Sequence, residues 1–454
     1  MISIFSTLAL PISIFAIVRA RKKRLRLYEH GYYTLALLFS TFEYNFYFEP
    51  FFESQKCLWI PTKFLTKLDI CGSGIRWIFW VHSLFIFGFI SSFFQSFSLS
   101  KSKMPSKMTV FFLSIPSGIF SSVSLLSFLP ILVFRVLFIK SIQSKSFSFI
   151  IAIVFFIAAL IGSFQSLFTS ESVVDLFFDP TQFFGNKTKK ANQFLQQNFI
   201  QKMRKKSNAF KNWKDIKIIQ ITDPHLGLFM SVPRLKKICE RTVERNPDLV
   251  LITGDLFTKV TKSTEGVIGM KTAFSPLKKM KGKVFACFGN HDYEMIQETV
   301  EVLNEIGAQI LKDSSVNIKI SSLKIQIVGL DFYFRNREQQ TQQNCIQNVC
   351  EEDVDLRIIL LHNPQDFPFI PNEDKSITFS GHTHGGHIGL NFIGLPFTLL
   401  GLGTLDQGVF VRNHNLCYVH KGTGFYGFPI RYGVSGEQSL VNLHFISRKE
   451  TKEK

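Results

Sequence analysis

The sequence predicts an α/β domain of alternating strands and helices, set behind a region of transmembrane helices. Apolar runs crowd the first 170 residues of the 454, whereas the rest reads as ordinary globular sequence. From Asp215 onward, short β-branched runs alternate with segments of helical apolar spacing. The charge divides the chain the same way: residues 1–210 hold 23 Lys and Arg against 8 Asp and Glu, and the remainder 29 against 26. Most of the net charge of +18 therefore belongs to the apolar portion and its flanks. Juxtamembrane Lys and Arg of this kind suit anionic lipid head groups. A nucleic-acid partner is not expected, because it would call for a basic excess on the folded domain.

The N-terminal part, residues 1–170, reads as about four membrane spans. Ile2 to Val18 is apolar and is followed at once by Arg19, Arg21, Lys22, Lys23, Arg24 and Arg26. A signal peptide has the opposite order, so the segment 2–18 predicts an uncleaved span whose C-terminal end faces the cytoplasm. Trp77–Phe97 and Phe147–Phe168 are each long enough to cross. The stretch 109–139 would extend about 46 Å as a helix against a hydrocarbon core of about 30 Å, so it must tilt or bend. Pro116 and Pro130 are the expected bending points. Residues 32–52 are also apolar, but Glu43 and Glu49 inside them point to an interfacial segment, since two carboxylates in a span are costly. Four spans place the following domain outside the cytoplasm; a fifth would place it inside.

Residues 171–212 read as a basic juxtamembrane linker. Lys187, Lys189, Lys190, Lys202, Arg204, Lys205 and Lys206 are interleaved there with Phe194, Leu195, Phe199, Ile200 and Met203. That spacing suits a helix on a membrane surface, or a solvated linker that packs on the domain. The domain proper is expected over 213–446, with a charged tail at 447–454.

Within it, Lys217–Thr222 predicts a buried strand, and Val232–Glu244 a helix with Leu235, Ile238, Cys239 and Val243 on one face. Asp248–Thr253 and Lys283–Phe288 predict further strands. Tyr293–Ile306 predicts a second helix, with Gly307 as its stop signal. A hairpin across Ser321-Ser322 and strands at Leu356–Leu361 and Ser376–Phe379 complete the pattern. The seven cysteines are an odd set without zinc-type spacing and read as separate thiols.

Chemistry-bearing strings fall at or just after these strands: Asp223-Pro224-His225, Gly254-Asp255, Gly289-Asn290-His291-Asp292, Leu361-His362-Asn363-Pro364 and Gly381-His382-Thr383-His384, followed by Gly385-Gly386. Ligands of α/β units gather at the carboxyl ends of strands. Carboxylate, amide and imidazole donors in this order make a ligand field for two cations: Asp223, His225 and His384 for one, Asn290, His362 and His382 for the other, and Asp255 shared between them. Mixed oxygen and nitrogen donors suit Mn, Fe, Zn, Co or Ni better than Ca. His291 is expected to face the substrate, stabilising charge or protonating a leaving oxygen, so it and Asp255 are the candidate catalytic residues. Asp292 and Asp331 are candidate supporting groups or loop caps, and His387 a candidate pocket residue. His82, His414 and His420 read as structural.

These strings resemble those of the calcineurin-like metallophosphoesterase superfamily, and the layout resembles its membrane-anchored bacterial branch. Gly422-Thr423-Gly424 and Pro429-Ile430-Arg431 followed by Glu437 add to the likeness, which covers about residues 213–446. The resemblance implies a four-layer αββα sandwich, two divalent metals and hydrolysis of phosphomono- or phosphodiesters. It also implies a multi-pass membrane enzyme with its catalytic domain outside the cytoplasm. Two departures stand out: Thr258 where the family often has an acidic residue, and His387 where it often has Gln. The membrane location points to a lipid-linked phosphoester as substrate, with the apolar stretch 388–402 lining an acyl groove, dipping into the bilayer or packing as a loop. The alternative is a non-catalytic scaffold that uses the fold as a binding module. A transport role has no intramembrane charge pair or broken-helix pattern to support it.

Overall fold

The computed structural model describes residues 160–190, 213–258, 264–333 and 353–447, with breaks at 228, 372–373, 392–397, 399–400, 402–403, 425 and 427–430, and four isolated positions at 116, 154, 157 and 158. The chain divides into two units, Met1–Leu167 with Gly427–Tyr432, and Phe168–Tyr426 with Gly433–Lys454. In the first, residues 160–166 are helical, inside the predicted span Phe147–Phe168. The predicted spans 2–18 and 77–97 lie outside the described residues, as does 109–139 apart from Pro116. Among the described residues no helix is long and apolar enough to cross a membrane.

The second unit is built on two sheets. Its strands are β1 (Thr169–Phe178), β2 (Lys189–Lys190), β3 (Trp213–Ile221), β4 (Leu249–Ile252), β5 (Val284–Ala286), β6 (Gln309–Ile310), β7 (Ser314–Ile320), β8 (Leu323–Leu330), β9 (Leu356–Leu361), β10 (Ile377–Ser380), β11 (Gly408–Arg412), β12 (Asn415–Val419) and β13 (Gly436–Ile446). One sheet runs β1-β13-β3-β4-β5-β6, and the other β2-β11-β12-β10-β9-β8-β7. Strands β3 to β6 pair in parallel, as do β8, β9, β10 and β12. Parallel strands buried on both faces carry near-continuous apolar runs; Leu249–Ile252 and Leu356–Leu361 are buried at every position, Arg357 of the latter being paired with Asp374.

Side chains alternate across a strand, and two apolar layers result. Leu356, Ile358 and Leu360 point into a core shared with Ile216, Leu249 and Phe285 of the first sheet, so the two sheets pack face to face. Ile359 and Leu361 point the other way, into a smaller cluster with Phe367 and Ile370. The far side of the first sheet carries helices α1 (Val232–Glu244), α2 (Thr264–Phe274) and α3 (Ile296–Glu305). Ser231 caps α1 by accepting from the Arg234 N–H, Pro233 sits in its first turn, and Leu235, Ile238 and Cys239 are buried. Gln438 of β13 ties α1 down by donating to the Ile238 carbonyl at 2.9 Å.

Three expectations need correction. The linker assigned to 171–212 is not all linker: β1 lies in register with β13 over ten pairs, from Thr169↔Gly436 to Phe178↔Phe445. Leu176 and Phe178 are wholly buried, and Lys189 and Lys190 pair with β11. A strand whose partner lies more than 260 residues away announces itself only through its own apolar positions. Secondly, the single helix expected over Tyr293–Ile306 is two pieces, a 3-10 turn at Asp292–Glu294 and α3, parted at Met295 (φ −145°). Thirdly, the outer layer on the second sheet is, among the described residues, the 3-10 turn Pro364–Phe369 rather than a helix.

Candidate metal centre

The sheets bring their carboxyl ends together, and each string of candidate ligands follows one of those ends. Asp223 and His225 come after β3, Asp255 after β4, Asn290 and His291 after β5, His362 directly after β9 and His382 just after β10. These loops turn sharply. Asp223, His225, Asp255, His382 and His384 all take the left-handed conformation, with φ of 51°, 45°, 56°, 69° and 51°. Two glycines let the backbone close in. A Cβ on Gly381 would lie 2.2 Å from Asp223 Oδ2, and one on Gly289 would lie 2.3 Å from Asp255 Oδ1.

Six of the predicted ligands form two compact groups. Asp223, His225 and His384 place donor atoms within 4.8 Å of one another, and so do Asp255, His362 and His382. Asp255 stands between the groups, its Oδ2 lying 3.6 Å from His225 Nε2 and 3.3 Å from His362 Nε2. The seventh, Asn290, keeps a buried amide oxygen that has no hydrogen-bond partner among the described residues.

The donors are held by hydrogen bonds from behind. His362 Nδ1 lies 2.7 Å from the Thr253 carbonyl, so it carries the proton and Nε2 faces the cluster. Asp223 accepts from the Thr222 hydroxyl at 2.7 Å and from the His382 N–H at 2.9 Å. Asp255 Oδ1 accepts the His291 N–H at 2.8 Å. Asp292, one of the candidate supporting groups, takes the N–H groups of Asp255, Leu256 and Gly289 at 2.8, 2.9 and 2.8 Å, and so pins two loops. The Gly422-Thr423-Gly424 string also has a physical role. Its N–H groups at Thr423 and Gly424 bond to the carbonyls of Thr222 and Asp223 at 2.8 and 3.0 Å, buttressing the first ligand loop.

The electrostatics suit cations. Burial holds the His225 imidazole down to about 3, only partly offset by Asp255, and burial with the neighbouring His362 holds His382 down to about 4. Both are neutral, the form that ligates. His362 behaves otherwise. Burial alone would lower it, but the charges of Asp255 and Asp223 carry it up to about 10. Burial would likewise raise Asp255, yet His362, His291 and His225 hold it well below the usual carboxylate range. Burial and the charge of Asp255 move Asp223 up to about 6, despite the opposing pull of His362.

The residues present fit a pair of divalent cations. Among the described residues, neither ring nitrogen of the buried His225 has a hydrogen-bond partner. An orphaned buried polar atom costs about 1–3 kcal/mol, which a coordinated cation would remove. Asp331 is not part of the cluster. It pairs with the Tyr293 hydroxyl and with Lys312, and it accepts the Phe332 N–H, so it is a loop cap. The Phe332 ring lies 5.9 Å from His362, and Tyr426 lies 5.0 Å from His225. Neither aromatic residue stands in a readable motif. His387 does line the cluster, its ring 5.2 Å from that of His384. Most of the predicted apolar groove, 388–402, lies outside the described residues.

Residues 216–386, which contain all seven candidate ligands, match the family model of the calcineurin-like phosphoesterases. The chain carries a calcineurin-like phosphoesterase domain. Curated proteins are similar to this chain over about half its length at modest identity. A zebrafish transmembrane protein with metallophosphoesterase domain is 28% identical over 244 residues, covering 50% of this chain and 52% of that protein. An uncharacterized metallophosphoesterase of Helicobacter pylori strain J99 is 28% identical over 238 residues, covering 51% of this chain and 60% of its own. The Escherichia coli phosphodiesterase YaeI is 24% identical over 256 residues, 55% of this chain and 90% of YaeI. The chain thus spans little more than half the length of the first two relatives.

Proposed function

We propose that this chain is a membrane-bound hydrolase that cleaves phosphomono- or phosphodiester bonds with two divalent cations. The single observation that carries the reading is the shared carboxylate: Asp255 Oδ2 lies within 3.6 Å of one histidine from each donor group. Asp223, His225 and His384 would hold one cation, Asn290, His362 and His382 the other, and Asp255 both. Cations so held would supply Lewis acidity to the phosphoryl oxygens and lower the pKa of the attacking water. The protein's own part is placement. Asp292 and the Thr222 and Thr253 contacts fix the donors, and His291 stands beside Asp255, where it can meet charge on the phosphoryl group or the leaving oxygen.

The membrane assignment draws support from the apolar runs of the first 170 residues and from the zebrafish relative's description as a transmembrane protein. Four spans put the domain on the extracytoplasmic side, where a lipid-linked phosphoester would be within reach. The test is hydrolysis of bis-p-nitrophenyl phosphate by the detergent-purified full chain with added Mn²⁺, alongside Asp255→Asn. Metal-dependent turnover lost in the variant supports the enzyme. No turnover together with no bound metal returns the scaffold reading.

A further inference from the structure

One buried acid beside the cluster has no part in holding cations. Glu294 lies at the end of the 3-10 turn that follows Asn290 and His291, and its Oε1 is 2.6 Å from His291 Nδ1. Both side chains are more than nine-tenths buried, with 7% and 8% of their surface exposed. The spacing of three residues within the turn sets Glu294 beside His291 at its N-cap. Thr258, whose hydroxyl donates to the Leu226 carbonyl at 3.3 Å, is uncharged and offers His291 no carboxylate. The His291 ring is held on its other sides by His225 at 5.1 Å and Tyr426 at 4.3 Å, and its backbone by Asp255.

We propose that Glu294 is the positioning residue of His291, fixing its ring so that Nε2 is the nitrogen presented to the leaving oxygen of the substrate. This rests on the phosphoesterase reading above. A carboxylate on Nδ1 keeps the proton there, and a proton delivered to substrate leaves from Nε2. In the step, water gives up a proton to solvent as its oxygen bonds to phosphorus, the phosphorus–oxygen bond to the leaving group breaks, and that oxygen takes the Nε2 proton. The ring then regains a proton from solvent. Glu294 touches no reacting atom.

A leaving oxygen that is a poor anion needs this proton most. The experiment therefore compares wild type, Glu294→Gln, Glu294→Asp, His291→Ala and the His291→Ala/Glu294→Gln double variant, as Mn²⁺-loaded full chains. The substrates are p-nitrophenyl, phenyl and benzyl phosphodiesters, and metal content and melting temperature are recorded for each protein. Glu294→Gln should keep two metals per chain, and its loss in kcat should grow by at least about tenfold from the p-nitrophenyl to the benzyl ester. Glu294→Asp, with its charge at shorter reach, should fall between. In the His291→Ala background the Gln substitution should cost nothing further. A loss equal across the three esters, or one that persists without His291, overturns the proposal. If Glu294→Gln misfolds, the slope of Glu294→Asp across the esters decides in the same way. A wild type that turns over none of the esters fails the phosphoesterase reading itself, a result distinct from a wild type that works and variants that show no slope.

Discussion

The two donor groups of this domain look alike in composition but differ in how each competes with protons. In the first, His225 is neutral over the whole physiological range because burial outweighs every nearby charge. In the second, Asp255 and Asp223 hold a proton on His362 up to about 10, although His382 beside it stays neutral down to about 4. A cation entering the first group meets a histidine ready to ligate; one entering the second displaces a proton. Two sites of similar donors, set side by side, can thus fill in order.

Removing what the groups share should erase the difference altogether. Asp255→Asn is expected to lower turnover by more than about 10³-fold and to deplete both cations, measured as metals per chain by elemental analysis. Gly381→Ala should be the next most damaging change and strike the first group alone. Its added Cβ would collide with Thr222 Oγ1 at 2.1 Å and Asp223 Oδ2 at 2.2 Å. We expect about one metal per chain and a loss of about 100-fold in rate. Thr222→Val keeps the volume but deletes the hydroxyl bond to Asp223, so first-site affinity should fall by about 10–100-fold while the second site is untouched.

The finest test is a proton count. Between pH 7 and 9, filling the second group should release close to one proton, because these values lie below the raised His362 value of about 10. Its apparent affinity should then climb by up to about tenfold per pH unit. Filling the first should release almost none, since Asp223, raised to about 6, is already ionised above that value, and it should weaken only as pH falls through about 6. Calorimetry in buffers of different ionisation enthalpy separates the two. Equal proton release at both sites would remove the distinction.

Much of this was legible in the residues, for physical reasons that also explain what was not. α1 and β9 were predicted at their observed bounds because local signals define them: helical apolar spacing for one, and for the other a short apolar run interrupted only by Arg357. The ligand strings could be read because strand ends place them, and six fall into the expected groups. β1 was hidden because its partner lies at the other end of the domain. The break at Met295 was hidden because the helical spacing of Ile296, Thr299 and Leu303 runs smoothly back into Tyr293. Glu294, Thr222 and Tyr426 take their roles from tertiary neighbours, which no spacing encodes.

The left-handed backbone at five of the ligands has a thermodynamic meaning beyond shaping the loops. Asp tolerates that conformation and His less so, and each such residue stores of the order of 1 kcal/mol. Five of them draw on a domain stability of about 5–15 kcal/mol in all. That cost belongs to the donor arrangement itself, and bound cations would offset it, so they act here as a keystone as much as a reagent. Stripped of metal, the domain should melt at a lower temperature, and amide hydrogen exchange should quicken first in the loops around 223–225 and 381–387.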